Sequence, residues 1–205
     1  MPTKRKAKRP TKRVNKLPVP RLPVITDEEM TEEQKTVRDA VVASRKSEIR
    51  GPFLVYLHAP KFGDHAQRLG AHCRYHTVLP PRLSEFAILV TARLWKAQYE
   101  WFAHAKIAAT VGVTAKTIAD LRAGRAPKSA PKDERVLYDF IMELYKTKRV
   151  SKRNYDRVFA VLGKVGTIEL VGILGYYAMV AMTLNVFAMS TPDGAEIPFA
   201  EPKVS

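Results

Sequence analysis

The chain of 205 residues contains a single cysteine, Cys73, and only ten glycines. One thiol excludes an intramolecular disulfide and any cysteine-based metal cluster within one chain, and it fits a reducing compartment, read here as the cytoplasm. Strand signals are also missing. Phe53 to His58 is apolar enough for a strand, but no second segment offers it a partner, so a sheet has nothing to be built from. The N-terminus lacks the apolar run and small-residue cleavage site of a secretory signal, and export by that route is not expected. Acidic residues are absent from the first 26 positions, which hold nine of the 35 Lys and Arg.

That last absence accounts for most of the formal net charge of +15, because beyond residue 26 the remaining 26 basic residues face 20 acidic ones. Residues 1–25 also carry Pro2, Pro10, Pro18, Pro20 and Pro23. A segment of this kind repels itself and cannot bury apolar area, so we expect disorder to about Lys16 and extended chain after it. Residues 1–22 could contact a polyanion, either nucleic acid or an anionic membrane surface, though a purely solvating extension has the same composition. No aromatic residue is interleaved with these charges to stack on bases. Residues 26–205 are enough for one core, and a single domain is expected.

Helical signals run through that domain. Thr31 and Gln34 have capping-box spacing ahead of Val37, Ala40, Val41 and Val42, and predict a first helix to about Ser47. Phe53 to His58 reads as a packed loop leading to a helix from about Lys61 to Val78. His72 and His76 on that helix are spaced i, i+4, which suits a metal, but no third close ligand is evident and no metal is expected. Thr114 is a plausible cap for a short helix through Leu121, and Ala123 to Lys132 reads as a loop. Asp133 to Lys148 has an apolar face of Val136, Leu137, Phe140, Ile141, Leu144 and Tyr145. Ser151 starts another helix, with Tyr155, Val158, Phe159 and Leu162 inward. From Leu170 to Pro192 no residue is charged, long enough for a membrane span. Asn185, Thr183, Tyr176 and Tyr177 interrupt it and no positive cluster follows, so we read a buried helix and no membrane span. The expected class is all-α, a single helical domain of six to eight helices.

The informative stretch is Arg82 to Ala108, RLSEFAILVTARLWKAQYEWFAHAKIA. It is an apolar helical pattern into which Glu85, Arg93, Glu100 and His104 are set. Ala97, Glu100 and His104 fall at i, i+3 and i+7 and share a helix face, so Glu100 is expected to touch His104 one turn on. A carboxylate beside an imidazole orients the ring and favours its charged form, which suits proton transfer. A solvated surface ion pair would have the same spacing.

The order of Glu85, positions 97 and 100, and His104 resembles the carboxymuconolactone decarboxylase and alkylhydroperoxidase D family of small helical proteins. In the peroxidase branch a glutamate is followed by a CxxC pair and a histidine; here the two cysteine positions are Ala97 and Glu100. Thiol peroxidase or peroxiredoxin-type chemistry needs an attacking and a resolving thiol, so that alternative is disfavoured. The wording Ala97, Tyr99, Glu100, Trp101, His104 is similar to the decarboxylase branch. The likeness runs from about Thr26 to Phe199 and takes in the Gly51 to Pro60 loop, the Gly112 turn and ELVGILGYYAMVAMTLN. It implies an alkylhydroperoxidase D-like fold, a homo-oligomer such as a trimer or hexamer, and a lyase of aromatic catabolism acting without cofactor on a small carboxylated lactone such as 4-carboxymuconolactone. A non-enzymatic oligomer with a polyanion-binding tail is a third possibility.

Loss of CO2 from such a lactone leaves electrons that the ring carbonyl can hold as a dienolate. The protein must stabilise that oxyanion, return a proton to carbon and hold the other carboxylate. The candidates are His104 as proton donor or oxyanion partner, Glu100 as its orienting group, and Glu85 as a second carboxylate. Arg93, or else Arg50, would clamp substrate, with Tyr99 and Trp101 as polar tip and apolar wall. Arg93 pairing with Glu85, and Tyr99 and Trp101 as plain core, are the competing readings. On one straight helix Glu85 and His104 would be roughly 28 Å apart and about 100° around the axis. They can share a site only if the helix breaks between Leu94 and Gln98, yet no Gly or Pro lies between Leu83 and Val111.

Overall fold

A computed structural model describes residues 19–192 and 195–200; the expected disorder up to Lys16 lies outside the described residues. Among these the chain forms eight helices and no strand: α1 (Glu32–Arg45), α2 (Pro52–Tyr56), α3 (Pro60–Tyr75), α4 (Pro81–Leu94), α5 (Gln98–Thr110), α6 (Ala115–Arg122), α7 (Lys132–Thr147) and α8 (Lys152–Val186). The all-α single domain is what the sequence leads one to expect.

Helix α4 is the centre. All ten residues from Leu83 to Ala92 are buried, and the helix packs against α5, α6, α7 and α8. Phe86, Ile88 and Leu89 are fully enclosed, each stabilising the fold by about 1.5–3 kcal/mol relative to exposure. A helix covered on every side can hold a charged residue only against a partner, which makes Glu85 a position to account for.

The starts of the elements follow their sequence signals. Thr31 and Gln34 form the full capping box, while Thr114 and Ser151 accept from the backbone of Thr117 and Asn154. Two expectations need correction. The segment read as a packed loop contains α2, a short helix opened by Pro52, whose fixed φ suits the first helical position. Tyr155 and Phe159 do not point inward; they are about half exposed and lie against each other, with ring centroids 5.7 Å apart.

Helix α8 contains a kink at Gly163, where φ is +67° and ψ −173°. Beyond it, Leu170, Ile173, Leu174, Ala181 and Leu184 enter the core. By length and composition α8 could cross a membrane, but this buried face is packed on α3, α4, α5 and α7. Its opposite face leaves Val165, Ile168, Val171 and Val186 exposed. The described chain begins at the far end of α8, where the Arg21 amide and guanidinium donate to the carbonyls of Phe187 and Val186. Near the other terminus, Phe199 and Gln98 exchange amide hydrogen bonds, and Arg122 holds Glu196 and the Pro198 carbonyl. This closes the last segment over the start of α5.

Candidate functional site

The helix does break, at Trp95 to Ala97. The Ala97 amide donates to the Ala92 carbonyl (2.9 Å) and the Lys96 amide to that of Arg93 (3.2 Å). With Lys96 left-handed at φ +51°, this is the six-to-one and five-to-two pattern of a Schellman motif. Lysine takes the position that glycine takes in the same motif at Gly112 and Gly124. The Asn185 side chain on α8 donates to the Trp95 carbonyl at 2.8 Å, satisfying one of the orphaned acceptors at the end of α4. Ala97, fully buried, then turns the chain into α5, which runs back along α4.

That reversal brings Glu85 and His104 together: Nδ1 of the imidazole lies 2.8 Å from Oε2 of the carboxylate, and both side chains are 7% exposed. No hydrogen bond joins Glu100 to His104 among the described residues. Nδ1 is held across the α4–α5 turn by Glu85 instead. Among the described residues the other ring nitrogen, Nε2, has no hydrogen-bond partner. The edge of Tyr177 from α8 holds the ring in place, with centroids 5.1 Å apart at 88°.

His104 and Glu100 line a cavity of about 360 Å³ bounded by α3, α5, α8 and the loop after α1. Glu100 is 2% exposed, and among the described residues neither of its carboxyl oxygens has a hydrogen-bond partner. Burial drives its pKa well above the usual carboxylate range. In its protonated form, which burial favours, such a carboxyl can donate a proton or a hydrogen bond, which an ordinary glutamate at neutral pH cannot. The cavity therefore has an imidazole oriented by a carboxylate and, separately, a carboxyl group whose burial favours its protonated form.

Cations surround the opening. Arg45, Arg50, Arg74 and Lys106 all line the cavity, and among the described residues none of the four is in an ion pair. Arg45 lies over the Phe53 ring at 4.2 Å and donates to the Gln67 carbonyl, and burial lowers its pKa. Tyr99, Tyr176 and Tyr177 contribute hydroxyl-bearing walls, and burial raises the pKa of each. Close backbone approach permits two of them. A Cβ at Gly70 would overlap the Tyr176 hydroxyl, and one at Gly51, where φ is +60°, would meet the Tyr99 ring.

Of the residues singled out from the sequence, Glu100, His104, Tyr99 and Arg50 border this cavity, and Glu85 reaches it through His104. Two do not join them. Arg93 projects to another side of α4, donates to the Arg122 carbonyl at 2.9 Å and lies over the Phe199 ring; it pairs neither with substrate space nor with Glu85. Trp101 is core, packed edge-on against Phe199 at 5.4 Å. Sequence reasoning missed Arg45, Arg74, Lys106, Tyr176 and Tyr177. The two tyrosines left a trace as polar interruptions of an apolar run, whereas the three cations sit in ordinary amphipathic positions.

His72 pairs with Glu169 at 3.1 Å, and Glu169 also accepts from the Val78 amide. Among the described residues no group of three or more His, Cys, Asp and Glu could hold a metal. Cys73 is buried and its thiol is pushed up to about 11, mainly by burial. Compared with known families and curated proteins, the chain matches no family model and no curated sequence, so what the cavity can do is read from its own side chains.

Proposed function

We propose that this protein is a cofactor-independent decarboxylase of the carboxymuconolactone decarboxylase and alkylhydroperoxidase D family, acting on a small carboxylated lactone. The observation that carries the reading is the Glu85–His104 hydrogen bond. The family spacing can make one site only if an unannounced helix break folds these residues together, and the chain breaks there.

In the proposed reaction the bond from ring carbon to carboxylate breaks and CO2 leaves with neither proton nor hydride. The electron pair passes into the lactone as a dienolate oxyanion, and a proton is then added to carbon. Glu100, neutral and lining the cavity, delivers the proton and regains one from solvent. In its imidazolium form His104, its Nδ1–H held by Glu85, stabilises the oxyanion through Nε2–H and keeps both protons throughout the step. The unpaired Arg45, Arg50 and Arg74 hold a carboxylate that stays. Compared with the expectation from sequence, Glu85 and Glu100 exchange roles: Glu85 is the orienting group. Peroxide reduction has little support, since Ala97 and Glu100 stand where a CxxC pair would be and Cys73 is a buried, high-pKa thiol.

A homo-oligomer is part of the proposal. The face of α8 bearing Val165, Ile168, Val171 and Val186 is exposed, and Gly172 and Gly175 on that helix have open space where a Cβ would be. A second copy would cover it. Sedimentation at micromolar concentration should give more than one chain per particle, and Ile168→Glu should shift it towards monomer; a monomeric parent contradicts this part alone. The activity itself is tested by a panel of ring-cleavage lactones assayed for CO2 release. Turnover by the parent and its loss in His104→Ala and Glu100→Gln support the reading, and an inert parent overturns it.

A further inference from the structure

The positive charge of the body is unevenly placed. From Asp27 to Leu121 the chain carries 13 Lys and Arg against 11 Asp and Glu, but from Arg122 to Lys164 it carries 12 against 5. Several of those five acids are already engaged. Asp133 and Glu134 bind Arg82, Asp139 binds Arg157, and Glu143 caps the start of α8 through Ser151 and Asn154. Most of the net positive charge of the folded body thus lies on the loop before α7, on α7 itself and on the first part of α8.

This region is concave. A cleft of about 500 Å³ lies between the loop and the α7–α8 pair, with Lys128, Lys132, Arg135, Tyr138 and the Asp139–Arg157 pair on its walls. Among the described residues Lys128, Lys132 and Arg135 have no ion pair. The loop that presents Lys128 is pinned: Pro127 and Ala130 are buried, the Ala130 amide donates to the Pro127 carbonyl (3.0 Å), and Gly124 ends α6 in a Schellman turn. Lys132 and Arg135 are one turn apart on α7 and face the same way. Three unpaired cations are thereby held along one trough, with the half-buried ring of Tyr138 beside them.

We propose that this cleft binds the sugar-phosphate backbone of a nucleic acid, without reading sequence. A row of unpaired cations facing one groove matches a row of phosphates, and the Tyr138 ring offers a face for a base. A bilayer suits the cleft less well. It is flat where the cleft is hollow, and the exposed Val165, Ile168 and Val171 that could enter lipid lie on α8 beyond the Gly163 kink. An acidic peptide would make no use of the aromatic ring. The basic residues before Leu17 can add affinity. The described chain starts at Val186 and Phe187, however, roughly 30 Å along α8 from Lys164, so the two contributions are separable.

The test is fluorescence anisotropy of a labelled single strand of about 20 nucleotides with the full chain, titrated with salt between 50 and 200 mM. The triple variant Lys128→Ala, Lys132→Ala, Arg135→Ala should bind at least tenfold more weakly. Its slope of log K against log salt should be shallower by about 2, the value for three fewer phosphate contacts on a single strand. A full chain with the Lys and Arg before Leu17 changed to Gln should still bind and still respond to the triple substitution. Removing Lys35, Lys61 and Arg68 controls for net charge and should change the slope by less than half as much. The proposal is overturned if the triple variant binds like the parent, if the control matches it, if 50 mM salt shows no binding, or if phosphatidylserine vesicles or polyglutamate compete better than unlabelled nucleic acid. Decarboxylation by the triple variant should equal that of the parent, which keeps this result independent of the proposed activity.

Discussion

Glu85 and His104 are 19 positions apart in sequence and 2.8 Å apart across the α4–α5 turn, each enclosed by the core. A buried carboxylate with one partner depends on that partner. Glu85→Ala should destabilise the protein by about 3 kcal/mol, because it strands the imidazole in a dry environment. Glu85→Gln keeps a hydrogen-bond acceptor and should cost less than half of that, while still lowering kcat on the active lactone by roughly 100-fold. Urea denaturation and steady-state kinetics on the same two variants separate the structural from the catalytic part.

Glu100 gives a pH dependence whose sign follows from burial. The folded carboxyl has its pKa raised above the ordinary value of 4.5, so between the two values the folded state binds more protons than the unfolded one. The stability this group contributes is full below about 4.5 and is lost as pH rises towards the folded pKa, by about 1.4 kcal/mol per pH unit. Glu100→Gln should remove that decline. Urea midpoints measured from pH 5 to 8 should therefore favour the variant increasingly with pH, and parallel curves would contradict the assignment of a neutral Glu100.

The turn that assembles the site is held by Asn185 and tolerates Lys96 in a left-handed conformation. Lys96→Gly should stabilise the protein by about 1 kcal/mol, since glycine adopts that φ without steric cost. Asn185→Ala leaves the Trp95 carbonyl without this donor and should cost about 1–2 kcal/mol. If the turn positions the site, the Asn185 variant also loses kcat although its side chain lies outside the cavity lining.

Gly70→Ala tests the wall of the cavity. The added methyl would overlap the Tyr176 hydroxyl, and the ring must move or α3 must shift, for a cost of about 1–3 kcal/mol. Raised KM with retained kcat is the expected kinetic change, because Tyr176 shapes the binding space and is not assigned a proton. Pairing with Tyr176→Phe should recover part of the lost stability.

The sequence by itself determined the helical class, most helix starts and the candidacy of Glu85, Glu100 and His104. Caps and apolar periodicity are local: Thr31, Thr114 and Ser151 act on amides three residues away, and Gly112 and Gly124 mark the ends of their helices through their own φ. Tertiary structure decided which of those residues meet. Lys96 and Ala188 end α4 and α8 with the same left-handed geometry as those glycines, and nothing in a lysine or an alanine signals it. At Lys96 the break is stabilised by a donor 90 residues away, Asn185. Packing also assigned partners. Spacing on one helix allowed Glu100 to reach His104, but the return of α5 along α4 gave His104 to Glu85 and left the buried Glu100 at the cavity without a hydrogen-bond partner among the described residues. Arg93, on the same stretch, was turned away from that cavity to the Arg122 carbonyl. Direction around a helix axis follows from the sequence, but what occupies that direction is fixed only once other helices have packed there.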